Sequence, residues 1–187
     1  MSHDPALLRS LSAFQMEPFS GLVYRYTSMS RDPTEASANG GRWGLPQNQS
    51  AGTPVLYTSL DPDGAISEVT AYLLELSPLP KSRVMKLSKL EVSASKVVTL
   101  GYSELTKLGL DLKRYGSRDY FLTQQIGSAL EHLGADGLIA PSARHDCNNL
   151  MIFATQHAFS ETLHKVEEKE VEWRDWARQR GKLAGLE

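Results

Sequence analysis

Between Asn39 and Glu68 the chain sets a cation, an aromatic and a carboxylate on three successive short elements. Asn39-Gly40-Gly41-Arg42-Trp43 opens the run. The two glycines permit positive φ and close approach to a ligand, and Arg42 follows at once with a planar fork of donors suited to phosphate. Val55-Leu56-Tyr57, bounded by Pro54 and Asp61-Pro62, then has the β-branched and aromatic character of a short strand. A helix is predicted next, with Asp61 as its cap, Pro62 in its first turn, and Ala65, Ile66, Val69, Tyr72, Leu73 and Leu76 as its apolar stripe. Glu68 stands beside that stripe, where a carboxylate can point into a cleft.

Around this run, the preceding strand is Gly21 to Tyr26, whose alternation puts Leu22, Tyr24 and Tyr26 on one side and Val23 and Arg25 on the other. On spacing alone Arg25 reads as an edge-strand arginine extending to solvent. A short helix is expected from Pro5 to Phe14. Thr27 to Thr53, rich in Ser, Gly, Asn, Pro and Gln, reads as a long loop, and Arg42 and Trp43 near its centre mark it as functional. Ser82 to Leu87 reads as a strand, Glu91 to Thr99 fits either strand or irregular chain, and Leu105 to Tyr115 reads as a polar connection. A second long helix is predicted from Arg118 to Leu133, stopped by Gly134, with Phe121, Leu122, Ile126, Ala129, Leu130 and Leu133 inward. Short strands follow at Leu138–Ala140 and Asn149–Ala154. Thr162 to Val171 fits a charged edge strand and Trp173 to Lys182 a helix. Helices interspersed with short strands, without a regular βαβ rhythm, define an α+β single domain over residues 1–187.

With 187 residues and 41% hydrophobic composition the chain can bury a substantial core. A formal charge of −2 and a pI near 6.2 provide no global field for nucleic acid. The single cysteine, Cys147, precludes an internal disulfide and fits a reducing compartment. No apolar run approaches membrane-spanning length, and Met-Ser-His-Asp-Pro lacks the features of a signal peptide, so a cytoplasmic location is expected. His3, His132, His157 and His164 have no partners at zinc-ligand spacing, and His145, Asp146 and Cys147 are merely contiguous, so no metal is expected. Gly-x-Gly-x-x-Gly and Walker loops are absent.

Gly21-x-x-Tyr24-Arg25, Gly40-Gly41-Arg42-Trp43, Leu56-Tyr57-Thr58-Ser59, Ala65-x-x-Glu68, and Gly137-Leu-Ile-x-Pro-Ser142-Ala-Arg followed by Asn149-Leu-Met-Ile-Phe resemble, in that order, the RES domain. The resemblance covers about residues 20 to 155; the charged extension from 160 to 187 matches no motif. It implies a fold similar to ADP-ribosyltransferases of the diphtheria-toxin type, with a mixed or antiparallel sheet core and surrounding helices. It also implies the toxin of a RES-Xre toxin–antitoxin pair, which consumes NAD⁺ or transfers ADP-ribose. Carried over residue by residue, Glu68, Arg25 and Ser142 would be catalytic. Arg25, Tyr26, Arg42, Tyr57, Ser142 and Asn149 would bind NAD⁺, with Asn148 the neighbouring alternative to Asn149.

Cleavage of the nicotinamide–ribose bond is the leading expectation, with water, phosphate or a protein side chain as acceptor. The pyrophosphate needs forked donors, and Glu68 answers the positive charge that develops on the ribose. Tyr57 could stack on nicotinamide, while Ser142 and Asn149 could bond ribose or the carboxamide. A helix-turn-helix antitoxin of the Xre type is the implied partner, and a homo-oligomer is compatible with the sequence. The alternatives are a protein mono-ADP-ribosyltransferase and, in a different class, a non-catalytic nucleotide-binding or protein-interaction domain.

Overall fold

A computed structural model describes residues 3–49, 52–158 and 160–184. Residues 50 and 51 of the expected long loop and the last three of the charged tail lie outside these. The helix expected at the N-terminus is α1 (Pro5–Leu11), capped by Asp4, whose side chain accepts from the Ala6 amide at 2.8 Å. Among the described residues, no helix is long and apolar enough to cross a membrane.

Six strands form the sheet: β1 (Glu17–Thr27), β2 (Val55–Ser59), β3 (Val84–Thr99), β4 (Gly137–Pro141), β5 (Asn148–Phe153) and β6 (Leu163–Glu172). The pairings run β1-β2-β5-β4-β3, and β3 returns to pair with β1, so these five strands close on themselves. β1 and β3 pair antiparallel over almost their whole length, whereas β3 and β4 are parallel and meet only from Val97 to Thr99. β6 pairs antiparallel with the first part of β3. The chain is thus a mixed α+β domain with a sheet core. Its charged tail, without a motif of its own, contributes a strand to that sheet.

Expectation and structure differ at β3, which is a single strand of 16 residues in place of two pieces. Its local sequence is ambiguous because Ser and Lys interrupt the alternation, but partners on both edges satisfy its backbone groups. The polar connection also differs. It contains helix α3 (Tyr102–Lys107), started by Glu104, whose carboxylate accepts from the Gly101 amide at 3.1 Å, with Leu105 buried beneath it.

The helices cover the sheet in two groups. α2 (Pro62–Leu74) and α5 (Trp173–Gln179) bury Ile66, Leu73, Trp173 and Trp176 against Tyr26, Met85 and Leu87. On the other side α4 (Phe121–His132) presses Ile126 and Leu130 against Val55, Met151 and Phe153. A third apolar cluster, including Val23, Leu56, Leu90, Val92, Leu150 and Ile152, draws on four of the ring strands. Val23 and Tyr26 therefore lie in different cores, as the β1 alternation requires.

The expected stripes hold only in part. Tyr72 (52% exposed), Leu76 and Phe121 lie at the surface, because α2 turns its small residues Gly64, Ala65, Ser67 and Thr70 inward and Phe121 is the first residue of α4. The Asp61 cap is present, its Oδ1 accepting from the Gly64 amide at 2.9 Å.

Thr27 closes β1; from 28 to 53 the described residues of the long loop have no helix or strand, yet the loop is anchored. Ser37 bridges to Val55, Gly41 bridges to Gly44, and Trp43 is buried in the core under α4. Its closest approach is at Gly127, where a Cβ would lie 1.9 Å from the Trp43 carbonyl oxygen. Gly127→Ala should therefore destabilise by about 1–3 kcal/mol, a fall in Tm of roughly 3–10 °C. Gly116→Ala, with nothing within 4 Å of its Cβ, should change stability by under about 0.5 kcal/mol. Thermal unfolding of the two variants checks both.

Candidate active site

A cleft of about 800 Å³ runs between β1, α2, the long loop and the β4–β5 connection. Arg25, Tyr26, Arg42, Tyr57, Glu68 and Asn149 all line it.

Glu68 comes from the middle of α2, whose position is set one turn earlier. A Cβ on Gly64 would lie 2.4 Å from Ser59 Oγ and 2.5 Å from Cys147 Sγ, so the helix rests directly on the ends of β2 and the β4–β5 connection. Ser142, buried just behind the cleft lining, and Asn149, which lines it, meet the carboxylate: Ser142 Oγ donates to Glu68 Oε1 at 2.6 Å and Asn149 Nδ2 to the same oxygen at 2.9 Å. Ser142 Oγ also accepts from the amides of Arg144 (3.1 Å) and His145 (3.2 Å). With both acceptor positions taken, its one proton is committed to Glu68. Ser142 thus holds the carboxylate and is not itself poised as a nucleophile. Glu68 Oε2 has no hydrogen bond among the described residues, and Asn149 Oδ1 is buried without a partner.

Arg42 stands on the opposite wall. Its guanidinium carbon lies 4.8 Å from the Tyr115 ring centroid and 4.7 Å from that of Tyr120, and Nη2 donates to the Ser117 carbonyl at 3.3 Å. Two rings restrict the rotamers of a long side chain, so a fork held this way loses little entropy on binding an anion. Burial pushes the Tyr115 phenol above its ordinary pKa, with the Arg42 charge opposing; its hydroxyl donates to the Pro141 carbonyl at 2.6 Å.

The loop carrying Arg42 closes on Tyr57, whose hydroxyl accepts from the Trp43 amide at 3.3 Å. Gly41 has to be glycine, since a Cβ there would lie 2.7 Å from that hydroxyl. Gln124 of α4 donates from Nε2 to the Gly41 carbonyl at 3.0 Å. Burial raises the Tyr57 phenol's pKa, so it remains a neutral hydroxyl.

Arg25 does not extend to solvent as its spacing suggests. It is 7% exposed, and Nη1 donates to the carbonyls of Pro33 (2.8 Å) and Glu35 (2.6 Å). β1 is flanked by β2 and β3, so the side chain turns inward beside Val23. Burial, with Arg31 adding, lowers its pKa to about 10. Tyr26, on the other face, donates its hydroxyl to the Val171 carbonyl at 2.8 Å. Asn148 pairs with Pro141 at the start of β5, while Asn149 is the one that reaches Glu68.

Tyr115, Tyr120 and Gln124 are site residues that the sequence reading misses, since their signal is their proximity to Arg42 and Gly41, which only the fold supplies. At the mouth, Glu75 pairs with Arg118, and with Arg144 at 3.4 Å, and Arg118 lies 5.2 Å above the Tyr72 ring. Among the described residues no group of three or more His, Cys, Asp or Glu could hold a metal ion. Cys147 Sγ lies 3.4 Å from Ser59 Oγ, and burial pushes its thiol pKa up, which suits a packed side chain better than a thiolate.

Three comparisons with known proteins bear on the chain. No curated protein sequence matches the chain. Among solved structures, a chain of the M. tuberculosis MbcT–MbcA toxin–antitoxin complex is similar, with a TM-score of 0.74 and 19% identity over 95% of this chain and 98% of that one; the likeness is one of fold. Residues 9–175 match the RES domain, a span that takes in β6 and the start of α5 as well as the motif core, and the chain belongs to that family.

Proposed function

We propose that the protein is a RES-type toxin that cleaves the nicotinamide–ribose bond of NAD⁺. The observation that carries this reading is the Glu68 carboxylate, one oxygen fixed by Ser142 and Asn149 and the other open to a cleft whose walls carry Arg25 and Arg42. In the step proposed, the bond between ribose C1′ and the pyridinium nitrogen breaks and its electron pair neutralises the ring. Nicotinamide leaves as a neutral molecule and needs no general acid. The positive charge left on the ribose is met by Glu68, whose bonds to Ser142 and Asn149 place it before the charge develops. With water as acceptor, ADP-ribose forms and one proton passes to solvent. Arg42 supplies a forked donor for the pyrophosphate, and the buried Asn149 Oδ1 accepts from a ribose hydroxyl or the carboxamide.

A protein that drains NAD⁺ in the cytoplasm needs silencing, and the family points to an Xre-type antitoxin that covers the cleft. The MbcT–MbcA likeness, in which a similar fold occurs within a toxin–antitoxin complex, supports a partner of that kind.

NAD⁺ loss and nicotinamide release by purified protein test the reading. Glu68→Gln should lower turnover by about 10²–10³-fold, the range found for deleting one preorganised electrostatic group. Ser142→Ala, which removes one of the two hydrogen bonds on the carboxylate but keeps its charge, should cost roughly 10-fold. Arg42→Ala should raise KM by about 10–100-fold with a smaller change in kcat. Dependence on added phosphate would identify phosphate as acceptor. A labelled protein band from lysate supplied with labelled NAD⁺ would establish a mono-ADP-ribosyltransferase instead. Unchanged turnover in Glu68→Gln would overturn the mechanism.

A further inference from the structure

Where β1 ends, the chain folds back through a turn closed by the Arg31 amide donating to the Ser28 carbonyl at 3.2 Å. That turn brings Arg31 beside Arg25, so two guanidinium groups, both lining the cleft, share one end of it. Their surroundings are incomplete. Arg31 Nε and Thr27 Oγ1 are buried and have no hydrogen-bond partner among the described residues. Arg25 is differently placed, since Nη1 is committed to loop carbonyls that hold it against the turn.

Like charges side by side with buried, unsatisfied donors cost free energy unless something completes them. Burial, and after it the neighbouring Arg31 charge, lower the proton affinity of Arg25. The carboxylates of Asp32 and Glu35 act on Arg25 in the opposite sense, but Asp32 is already engaged by the amide and hydroxyl of Thr34 at 2.8 and 2.7 Å. Arg83, whose side chain is exposed, lines the same cleft and adds a further cation. What fits is an anion with several acceptor oxygens, approaching from the cleft.

We propose that Arg31 and Thr27, with Arg25 behind them, form an anion subsite that binds the diphosphate of a nucleoside diphosphate moiety. The inference rests on the reading that the cleft takes NAD⁺, and it assigns to Arg31 and Thr27 a positioning role in substrate binding. Arg42, held between Tyr115 and Tyr120, then supplies a second fork to the same diphosphate. Arg31 acts on binding and not on bond cleavage.

The test is calorimetric titration of the full chain with ADP, and with adenosine as the phosphate-free control. ADP should bind the wild type, Arg31→Ala should weaken it by roughly 10–100-fold and Thr27→Val by roughly 3–10-fold. Adenosine binding should be the same in all three. In NAD⁺ turnover Arg31→Ala should raise KM while kcat stays within about threefold. Folded variants, checked by thermal unfolding, that bind ADP as the wild type does would overturn the subsite. If Arg31→Ala fails to fold, the near-isosteric Thr27→Val decides on the same criterion. Absence of ADP binding to the wild type would also overturn it, and NAD⁺ consumption by that same sample would show that the proposed function stands without it.

Discussion

Everything in this molecule hangs on β3 being shared. One edge of that strand pairs with β1, and the other is divided between β6 along its first part and β4 at its end. A strand of ordinary length could not serve three partners. Because it does, β1, β2, β5 and β4 close with it into a ring with an apolar cluster of its own, and the helices then add two more cores. The cleft lies where that ring gives way to the long loop and α2. β6 satisfies the outer edge of β3 while presenting its own exposed, alternately charged edge to water, which discourages further strand pairing.

Local rules made several parts readable from the chain. The Asp61-Pro62 cap, the Gly134 stop and the alternation along β1 depend on neighbours a few residues away, and each is found in the structure. The inward turn of Arg25 is different, because spacing could not tell an edge strand from one with partners on both sides. The continuity of β3 depends equally on strands distant in sequence. Tyr72 shows a further limit: its helical spacing matched Ile66 and Leu73, but a helix lying on a sheet by its small residues leaves that position in solvent at the cleft mouth. The motif order pointed to Glu68, Ser142 and Asn149 together, yet only the fold brings positions separated by 74 and 81 residues to one carboxylate oxygen.

The charged groups of the cleft are held in three distinct ways. Glu68 is fixed by hydrogen bonds to one oxygen, Arg42 by aromatic faces, and Arg25 by main-chain carbonyls. Each device restrains a flexible side chain before a ligand arrives, and each leaves some donor or acceptor unspent. Preorganisation of this kind shifts the entropy loss from binding to folding.

The contact at Gly64 has a consequence for how such a site can vary. With Ser59 Oγ and Cys147 Sγ occupying the space of a missing methyl, α2 has no room to slide or roll closer to the sheet. With the backbone fixed there, the reach of the carboxylate is set by the length and torsions of the residue 68 side chain. Aspartate would withdraw its oxygens from Ser142 and Asn149 by one carbon–carbon bond, and the helix could not follow. Glutamate at this position is a ruler fixed at one end, and the backbone beneath it supplies the zero mark.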